Sequence, residues 1–496
     1  MDRSDFFHKR FREHFPYELT SDQDRLFADV ADFLSGDDHD ILVINGYAGT
    51  GKTTSIAAVI DSLDDLRPTR SNGPGETGDV EEICVLLAPT GRAAKVFSQY
   101  AHKSASTIHK CIYRQKSIGS DGFGQFSLAP NKQSHKLFIV DEVSLIGIGD
   151  PDRQGTASFG TGDLLKDLVD FIRAGNGCRL ILIGDSAQLP PVGLDASPAL
   201  SPDYMDGFGG VRYSSLTEVV RQQKESGILW NATRIRELIT HDPSGGTTYA
   251  PDEIGLRTEC FPDVERITGG ELLDSLNQAY FTDFSKDDAI VLCRSNKRAN
   301  RYNAGIRSQV FYDEERLVRG EKLMIVKNCY QFTGDAKGMD YIANGDMAKL
   351  VSIRNFEDRY GLSFADARLS FPDYDDTEIM AKVCLDTLSS EAASLTYDQQ
   401  NQLYNGVNED YSHITTKKKR YEAVREDPYF NALQLKYANA ITCHKSQGGQ
   451  WGCVFVDNPF WQDRLTVDDL KWLYTALTRA VEKVYLVNFK DEYFKN

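Results

Sequence analysis

Between residues 41 and 63 the chain changes its hydrophobic period. Ile41-Leu42-Val43-Ile44 is a continuous apolar run, whereas Ile56, Val59, Ile60 and Leu63 recur on one helical face. Gly46-Tyr47-Ala48-Gly49-Thr50-Gly51-Lys52-Thr53 lies between them. A continuous apolar strand needs cover on both faces, so this unit commits the region to a parallel α/β sheet. A glycine loop that joins such a strand to a helix N-terminus also carries chemistry. Without Cβ atoms in the way, successive backbone N–H groups can point at phosphate oxygens. The helix N-terminus adds partial positive charge. Lys52 can reach the β- and γ-phosphates of ATP, and the Thr53 hydroxyl can ligate Mg²⁺. The loop therefore predicts a nucleotide site built from Gly46, Gly49, Thr50, Gly51, Lys52, Thr53 and Thr54.

Further continuous apolar runs end in polar or glycine-containing turns. Those at 83–88, 137–140 and 180–183 predict more strands of one sheet, and those at 289–293, 453–456 and 484–487 predict a second. A chain of 496 residues has room for two to four domains. Residues 64–79 and 149–162 are polar and read as surface loops. Residues 110–136, rich in Gly, Ser and Gln and holding Tyr113, Phe123 and Phe126, read as a small β-hairpin inserted in the first domain. Residues 320–435 fit neither sheet. Their first part is β-rich, with a turn signal at Asn344-Gly345-Asp346. Their second part is polar and helical and carries Lys417-Lys418-Lys419-Arg420, which reads as a solvated face.

A net charge of −17 excludes a wholly basic nucleic-acid coat but leaves room for a local basic groove. The nine cysteines form no C-x-x-C pair, so no zinc ribbon or redox motif is present, and their scatter suits reduced thiols. No run approaches the roughly 20 apolar residues of a membrane span. Residues 1–15 lack the apolar core of a signal peptide, so a cytoplasmic location is expected.

Four further segments carry candidate chemistry. The run at 137–140 ends in Asp141-Glu142. An acid after a strand of a phosphate-binding sheet suits Mg²⁺, so Asp141 is the metal holder and Glu142 orients or deprotonates the attacking water. The run at 180–183 ends in Gly184-Asp185-Ser186-Ala187-Gln188-Leu189-Pro190-Pro191, and Gln188 suits γ-phosphate sensing. In Thr442-Cys443-His444-Lys445-Ser446-Gln447-Gly448-Gly449, Thr442, His444 and Lys445 suit a phosphate backbone, and the glycines permit close approach. Leu473-Tyr474-Thr475-Ala476-Leu477-Thr478-Arg479 is a helical pattern ending in an arginine that suits a finger role.

In this order the set resembles the motifs of superfamily 1 DNA helicases, and most closely those of the 5′→3′ branch, the RecD-like and phage Dda-like enzymes. The resemblance spans about residues 19–487. It implies two RecA-like P-loop motor domains, a small β-hairpin insertion in the first, and an SH3-like plus helical insertion in the second. The implied boundaries are 1–223 for the first motor domain, 224–319 and 436–496 for the second, and 320–435 for the insertion. Leu19-Thr20-x-x-Gln23 is similar to the adenine-reading glutamine motif. Ala88-Pro89-Thr90-Gly91-Arg92 is similar to the segment that grips the DNA backbone, which assigns Pro89, Thr90 and Gly91 to DNA. Thr107-Ile108-His109 resembles its shorter companion. Leu216-Thr217-Glu218-Val219-Val220-Arg221-Gln222 resembles the segment whose arginine reaches the γ-phosphate, so Arg221 and Arg479 become the two fingers. Gly448 joins the nucleotide-binding set. The hairpin sits where the family carries a duplex-splitting wedge, with Phe123 and Phe126 as its aromatics. The implied activity is ATP-driven 5′→3′ translocation on single-stranded DNA and unwinding of duplex forks by a monomer. The alternative is a DNA-stimulated P-loop ATPase that translocates or remodels nucleoprotein without unwinding.

Overall fold

The computed structural model of the protein describes residues 2–66, 83–118, 124–149, 158–220, 225–241, 246–333, 339 and 341–495. The chain divides into two compact units, one of residues 1–115, 126–153 and 159–243, the other of 116–125, 154–158 and 244–496.

The first unit is built on a six-stranded sheet. Across it lie Ala105–Thr107, Cys84–Ala88, Leu137–Val140, Arg179–Gly184, Ile41–Gly46 and Val211–Leu216, all parallel. The four expected runs are its central strands, and their continuous apolarity follows from burial on both faces. Leu42, Ile44, Ile139 and Ile181 share one core with Phe27, Val59 and Phe97. The strand Arg179–Gly184 separates the P-loop strand from the strand that ends at Asp141, with Asn45 opposite Gly184 and Val140 opposite Leu182. The two edge strands are short or half-exposed and carry no continuous apolar run. Residues 3–14 form a helix that composition alone does not signal. Phe11 is its buried anchor, with its ring centroid 5.9 Å from that of Phe27. Full burial of one such ring contributes roughly 1.5–3 kcal/mol, and Phe7 packs against the same core beside it.

The second unit holds a five-stranded parallel sheet in the order Val264–Ile267, Ala480–Val487, Trp451–Asp457, Ala289–Cys293, Ala440–Thr442. Between its strands the chain makes a closed barrel of Lys322–Ile325, Met347–Arg359, Leu362–Phe371, Thr377–Cys384 and Leu433–Tyr437. Leu323, Leu350, Ala367, Leu369 and Val383 fill its interior. The helices Tyr397–Asp410 and Lys417–Glu426 pack Leu403, Val407 and Val424 against Leu362 and Phe364. Lys417, Lys418 and Lys419 are exposed. Buried Asn303, on the helix Asn296–Gln309, joins barrel to sheet. Its side-chain amide donates to the carbonyls of Tyr437 and Ala440, and its Oδ1 accepts from the Ala440 amide. Arg307 of the same helix pairs with Glu321 at 3.0 Å where the chain enters the barrel.

Candidate active site

In a parallel sheet every strand points its carboxyl end at the same rim, where ligands bind. The first unit follows this rule. Gly46 and Leu216 are opposite one another, as are Ala88 and Thr107, and Leu87 and Val140. The segments that follow these strands, including the P-loop, Asp141-Glu142, Asp185–Gln188 and Pro89-Thr90-Gly91, therefore share one rim.

The P-loop needs its glycines. Gly49 and Gly51 both have φ of 76°. A Cβ at Gly51 would stand 2.3 Å from Gln23 Nε2, and one at Gly46 would stand 2.9 Å from Lys52 Cδ. Gly51 caps the helix Lys52–Asp64 with no side-chain bond. The first-turn N–H groups that a helix leaves without internal partners thus face the loop. Lys52 Nζ donates to the Gly46 carbonyl at 2.8 Å, curled over its own loop. Thr53 is exposed and Thr54 half-buried at the same helix end. Thr50 is buried and its hydroxyl donates to the Tyr47 carbonyl at 2.8 Å.

Gln23 is fully buried behind this loop. Its Oε1 accepts from the Thr20 amide at 3.0 Å and its Nε2 donates to the Thr50 carbonyl at 3.1 Å. In this structure the glutamine props the P-loop. Its neighbour Asp22 carries more contacts. Asp22 Oδ2 accepts from the amides of Thr217 and Glu218 at 2.7 and 2.9 Å and from the Thr217 hydroxyl at 2.8 Å. Burial works to raise the Asp22 carboxyl, but these bonds and Arg25 outweigh it and hold the group below the ordinary range. Asp22 thus fixes the start of the segment that leads to Arg221, which itself lies outside the described residues.

Asp141 and Glu142 stand together. Asp141 Oδ1 accepts from the Glu142 amide at 2.8 Å, and Tyr100 donates its hydroxyl to Asp141 Oδ2. Burial, aided by the Glu142 charge, pushes the Asp141 carboxyl up, while Lys52 and Tyr100 oppose it. Glu142 has φ of 54°, an uncommon conformation for a residue with a side chain. Gln188 is 6% exposed and its Oε1 meets no donor among the described residues. A buried carbonyl oxygen without a partner is costly, so its place at this rim suits a ligand or the attacking water. Asn45 ties this turn to the P-loop strand, donating to Ser186 Oγ at 2.9 Å and accepting from the Ser186 amide at 3.0 Å. Tyr100, Asn45 and Asp22 escape sequence reading because each acts through a tertiary contact to a motif residue. Only Asp22 has a local signal, since it lies inside the Leu19–Gln23 motif.

These residues fit Mg²⁺. The ion accepts a hydroxyl, one carboxylate, waters and substrate phosphates, and needs no all-protein cage. Thr53 and Asp141 would supply the hydroxyl and carboxylate, and no cluster of three or more His, Cys, Asp or Glu occurs among the described residues.

Around the second rim motif, Thr90 Oγ1 accepts from the Ala93 amide at 3.2 Å and caps the helix Gly91–Ala101. Thr107 caps a short helix in the same way. His109 packs its ring 4.9 Å from that of Phe159, and Phe126 stacks on Phe159 at 4.5 Å. Phe126 therefore braces the hairpin base, while Phe123 lies outside the described residues.

In the second unit Thr442 precedes the short helix Cys443–Ser446. Burial, then Arg294, lowers the His444 imidazole. Lys445 Nζ donates to Asn344 Oδ1 at 2.6 Å, and burial brings its ammonium down to about 8. Arg479 is buried, with Nη1 3.3 Å from the Gly449 carbonyl and Nε 3.3 Å from that of Thr475. Gly448, with φ of 73°, shapes the turn that receives it.

The chain is similar to several known proteins. A family model described as an AAA domain matches residues 18–241, and one described as a UvrD-like helicase C-terminal domain matches residues 437–487. The ATP-dependent RecD2 DNA helicase of Deinococcus radiodurans is 33% identical over 165 residues, which are 33% of this chain and 18% of that protein. The ATP-dependent DNA helicase Dda of Enterobacteria phage T4 is 27% identical over 364 residues, covering 71% of this chain and 70% of Dda. The chain thus spans under a fifth of RecD2 and about seven-tenths of Dda. Among solved structures, Pif1 helicase from Bacteroides in complex with ADP-AlF3 and ssDNA aligns over 97% of this chain and 95% of its own, at 16% identity and a TM-score of 0.44.

Proposed function

We propose, on the premise that this chain is one of the superfamily 1 helicases of the RecD and Dda type, that it hydrolyses ATP to move 5′→3′ along single-stranded DNA and to unwind duplex forks. One observation carries the reading. The P-loop, the Asp141-Glu142 pair, Gln188 and the Thr90 helix end share the carboxyl rim of one sheet.

In this reading the two sheets are RecA-like motor domains, with boundaries at 1–223 and at 224–319 plus 436–496. The barrel and its helices, 320–435, are an SH3-like module with a helical extension. Gly46, Gly49, Thr50, Gly51, Thr54 and Gly448 cradle the nucleotide, with Gln23 behind them. Thr53 and Asp141 would hold Mg²⁺, which would supply positive charge to offset that of the nucleotide phosphates. Lys52 leaves the Gly46 carbonyl for those phosphates. Glu142 takes the proton of the attacking water, and the Gln188 carbonyl orients that water. Arg221 and Arg479 supply positive charge as negative charge redistributes in the transition state. Pro89, Thr90, Gly91, Thr107, His109, Thr442, His444 and Lys445 contact the strand. The hairpin with Phe123 and Phe126 splits the fork. The protein works as a cytoplasmic monomer.

The test is paired. ATPase activity should rise with single-stranded DNA, and strand displacement should require a 5′ overhang. Stimulated ATPase with no displacement from either tail supports the non-unwinding translocase instead. Displacement from 3′ tails alone refutes the direction.

A further inference from the structure

The helix Gly91–Ala101 touches three places that the proposed function keeps separate. Its N-cap is Thr90, in the proposed DNA contact. Its last turn carries Tyr100, whose hydroxyl donates to Asp141. Just beyond its end, Lys103 pairs with Asp64 at 3.1 Å, at the far end of the P-loop helix, and the lysine side chain is only 7% exposed. Phe97, fully buried in the sheet core, fixes its middle. An 11-residue helix is about 16 Å long and stiff. Displacing one end of it therefore displaces the other.

Tyr100 is well chosen for such a link. Asp141 has two carboxylate oxygens, and both are engaged, one by the Glu142 amide and one by Tyr100. The Glu142 bond is set by the chain itself. The Tyr100 bond comes from a different element, so a shift of that helix would break it while leaving the Glu142 bond in place. A contact that can be made or lost in this way is the kind of element that physical coupling between sites requires.

We propose that Tyr100 is a positioning residue that couples single-stranded DNA at the Thr90 end of this helix to the orientation of Asp141 at the nucleotide site. The inference rests on the helicase reading above and adds the route by which DNA controls hydrolysis. To the extent that this orientation changes nucleotide affinity, the coupling is reciprocal, and nucleotide changes DNA affinity by the same factor.

The experiment compares the wild type with Tyr100→Phe, which removes the hydroxyl and keeps the ring packed. Two quantities are read. One is the ratio of ATPase rates with and without saturating oligo-dT. The other, independent of turnover, is the ratio of oligo-dT dissociation constants, by fluorescence anisotropy, without and with Mg²⁺ and a non-hydrolysable ATP analogue. In Tyr100→Phe the stimulation ratio should fall by about tenfold, and the nucleotide effect on DNA binding should shrink in the same direction, since linkage ties the binding equilibria though not the rates. Nucleotide-free DNA affinity should stay within about twofold, which a general loosening of the fold would not allow. If a stimulated wild type and its Tyr100→Phe variant give equal ratios in both measurements, Tyr100 is only packing and the proposal is overturned. A wild type whose ATPase ignores oligo-dT fails earlier, because it refutes the helicase reading on which the proposal rests.

Discussion

Lys52, Asp141 and Gln188 come from three strands, yet the sheet delivers them to one rim, and the Gln188 Oε1 there meets no protein donor among the described residues. In the second unit Thr442, His444, Lys445, Gly448 and Arg479 lie closer together in sequence, but their cations are already spoken for. Lys445 is bound to Asn344, and Arg479 is buried against the carbonyls of Gly449 and Thr475. The first unit presents preassembled chemistry. The second stores positive charge against neutral acceptors, from which a phosphate can draw it at modest cost. Phosphate adds a charge–charge attraction that a neutral carbonyl cannot offer, so the exchange favours the phosphate. Substitutions in the first unit should therefore abolish chemistry, and those in the second should tune it.

The largest expected effect tests the preassembled side. Lys52→Ala should cut ATP turnover by more than about a thousandfold, a loss above roughly 4 kcal/mol in the barrier. Glu142→Gln should hydrolyse as poorly while still binding Mg²⁺ and ATP, because Asp141 and Thr53 are intact. Fluorescent-nucleotide titration beside steady-state ATPase reads both. If Glu142→Gln loses nucleotide affinity as badly as turnover, the two acids do not divide the work as described.

A smaller effect is expected in the second unit. Arg479→Ala should slow turnover by about a hundredfold, the scale of losing one preorganised charge donor. ATP affinity should change little, since the charge matters most as the transition state forms. Arg479→Lys should not rescue, because an ammonium cannot replace the planar fork that reaches Gly449 and Thr475 together. Single-turnover rates beside nucleotide dissociation constants distinguish this from a binding defect. Matched losses in both would make Arg479 an ordinary nucleotide contact.

The same contrast explains what the sequence reveals. The central strands of both sheets are legible because burial on two faces forces continuous apolar runs. The P-loop is legible because positive φ at Gly49 and Gly51 demands glycine. Edge strands such as Val264–Ile267 and Ala105–Thr107 are hidden, being short and half-covered. The helix Arg3–His14 is hidden because its place depends on Phe11 meeting Phe27, a contact no local pattern encodes. Asn45 and Tyr100 are hidden for the same reason. Phe126 is legible only as an aromatic in a polar hairpin; that its ring lies on Phe159 is a tertiary contact the local pattern does not encode.

The smallest predicted effect sharpens the idea of stored charge. Burial lowers the Lys445 ammonium to about 8, whereas an ordinary lysine near 10.4 stays charged throughout the neutral range. Below about pH 8 Lys445 carries its proton and can meet a phosphate, and above that value the contact loses its charge. Single-stranded DNA binding at fixed salt should therefore weaken as pH rises from about 7 to about 9, by roughly threefold to fivefold, the scale of one phosphate contact. Its log–log salt slope should fall by about 0.7 over the same range, since one counterion fewer is released. His444 does not confuse the measurement, because burial and Arg294 lower its imidazole below the ordinary value and leave it uncharged across this window. Lys445→Arg should flatten the profile, as a guanidinium stays protonated at every pH used. Anisotropy titrations of oligo-dT at about three pH values and two salt concentrations give both slopes. A wild-type profile as flat as that of Lys445→Arg would mean that Lys445 stays with Asn344 and never meets the strand, and the second unit would then hold DNA without drawing on this stored charge.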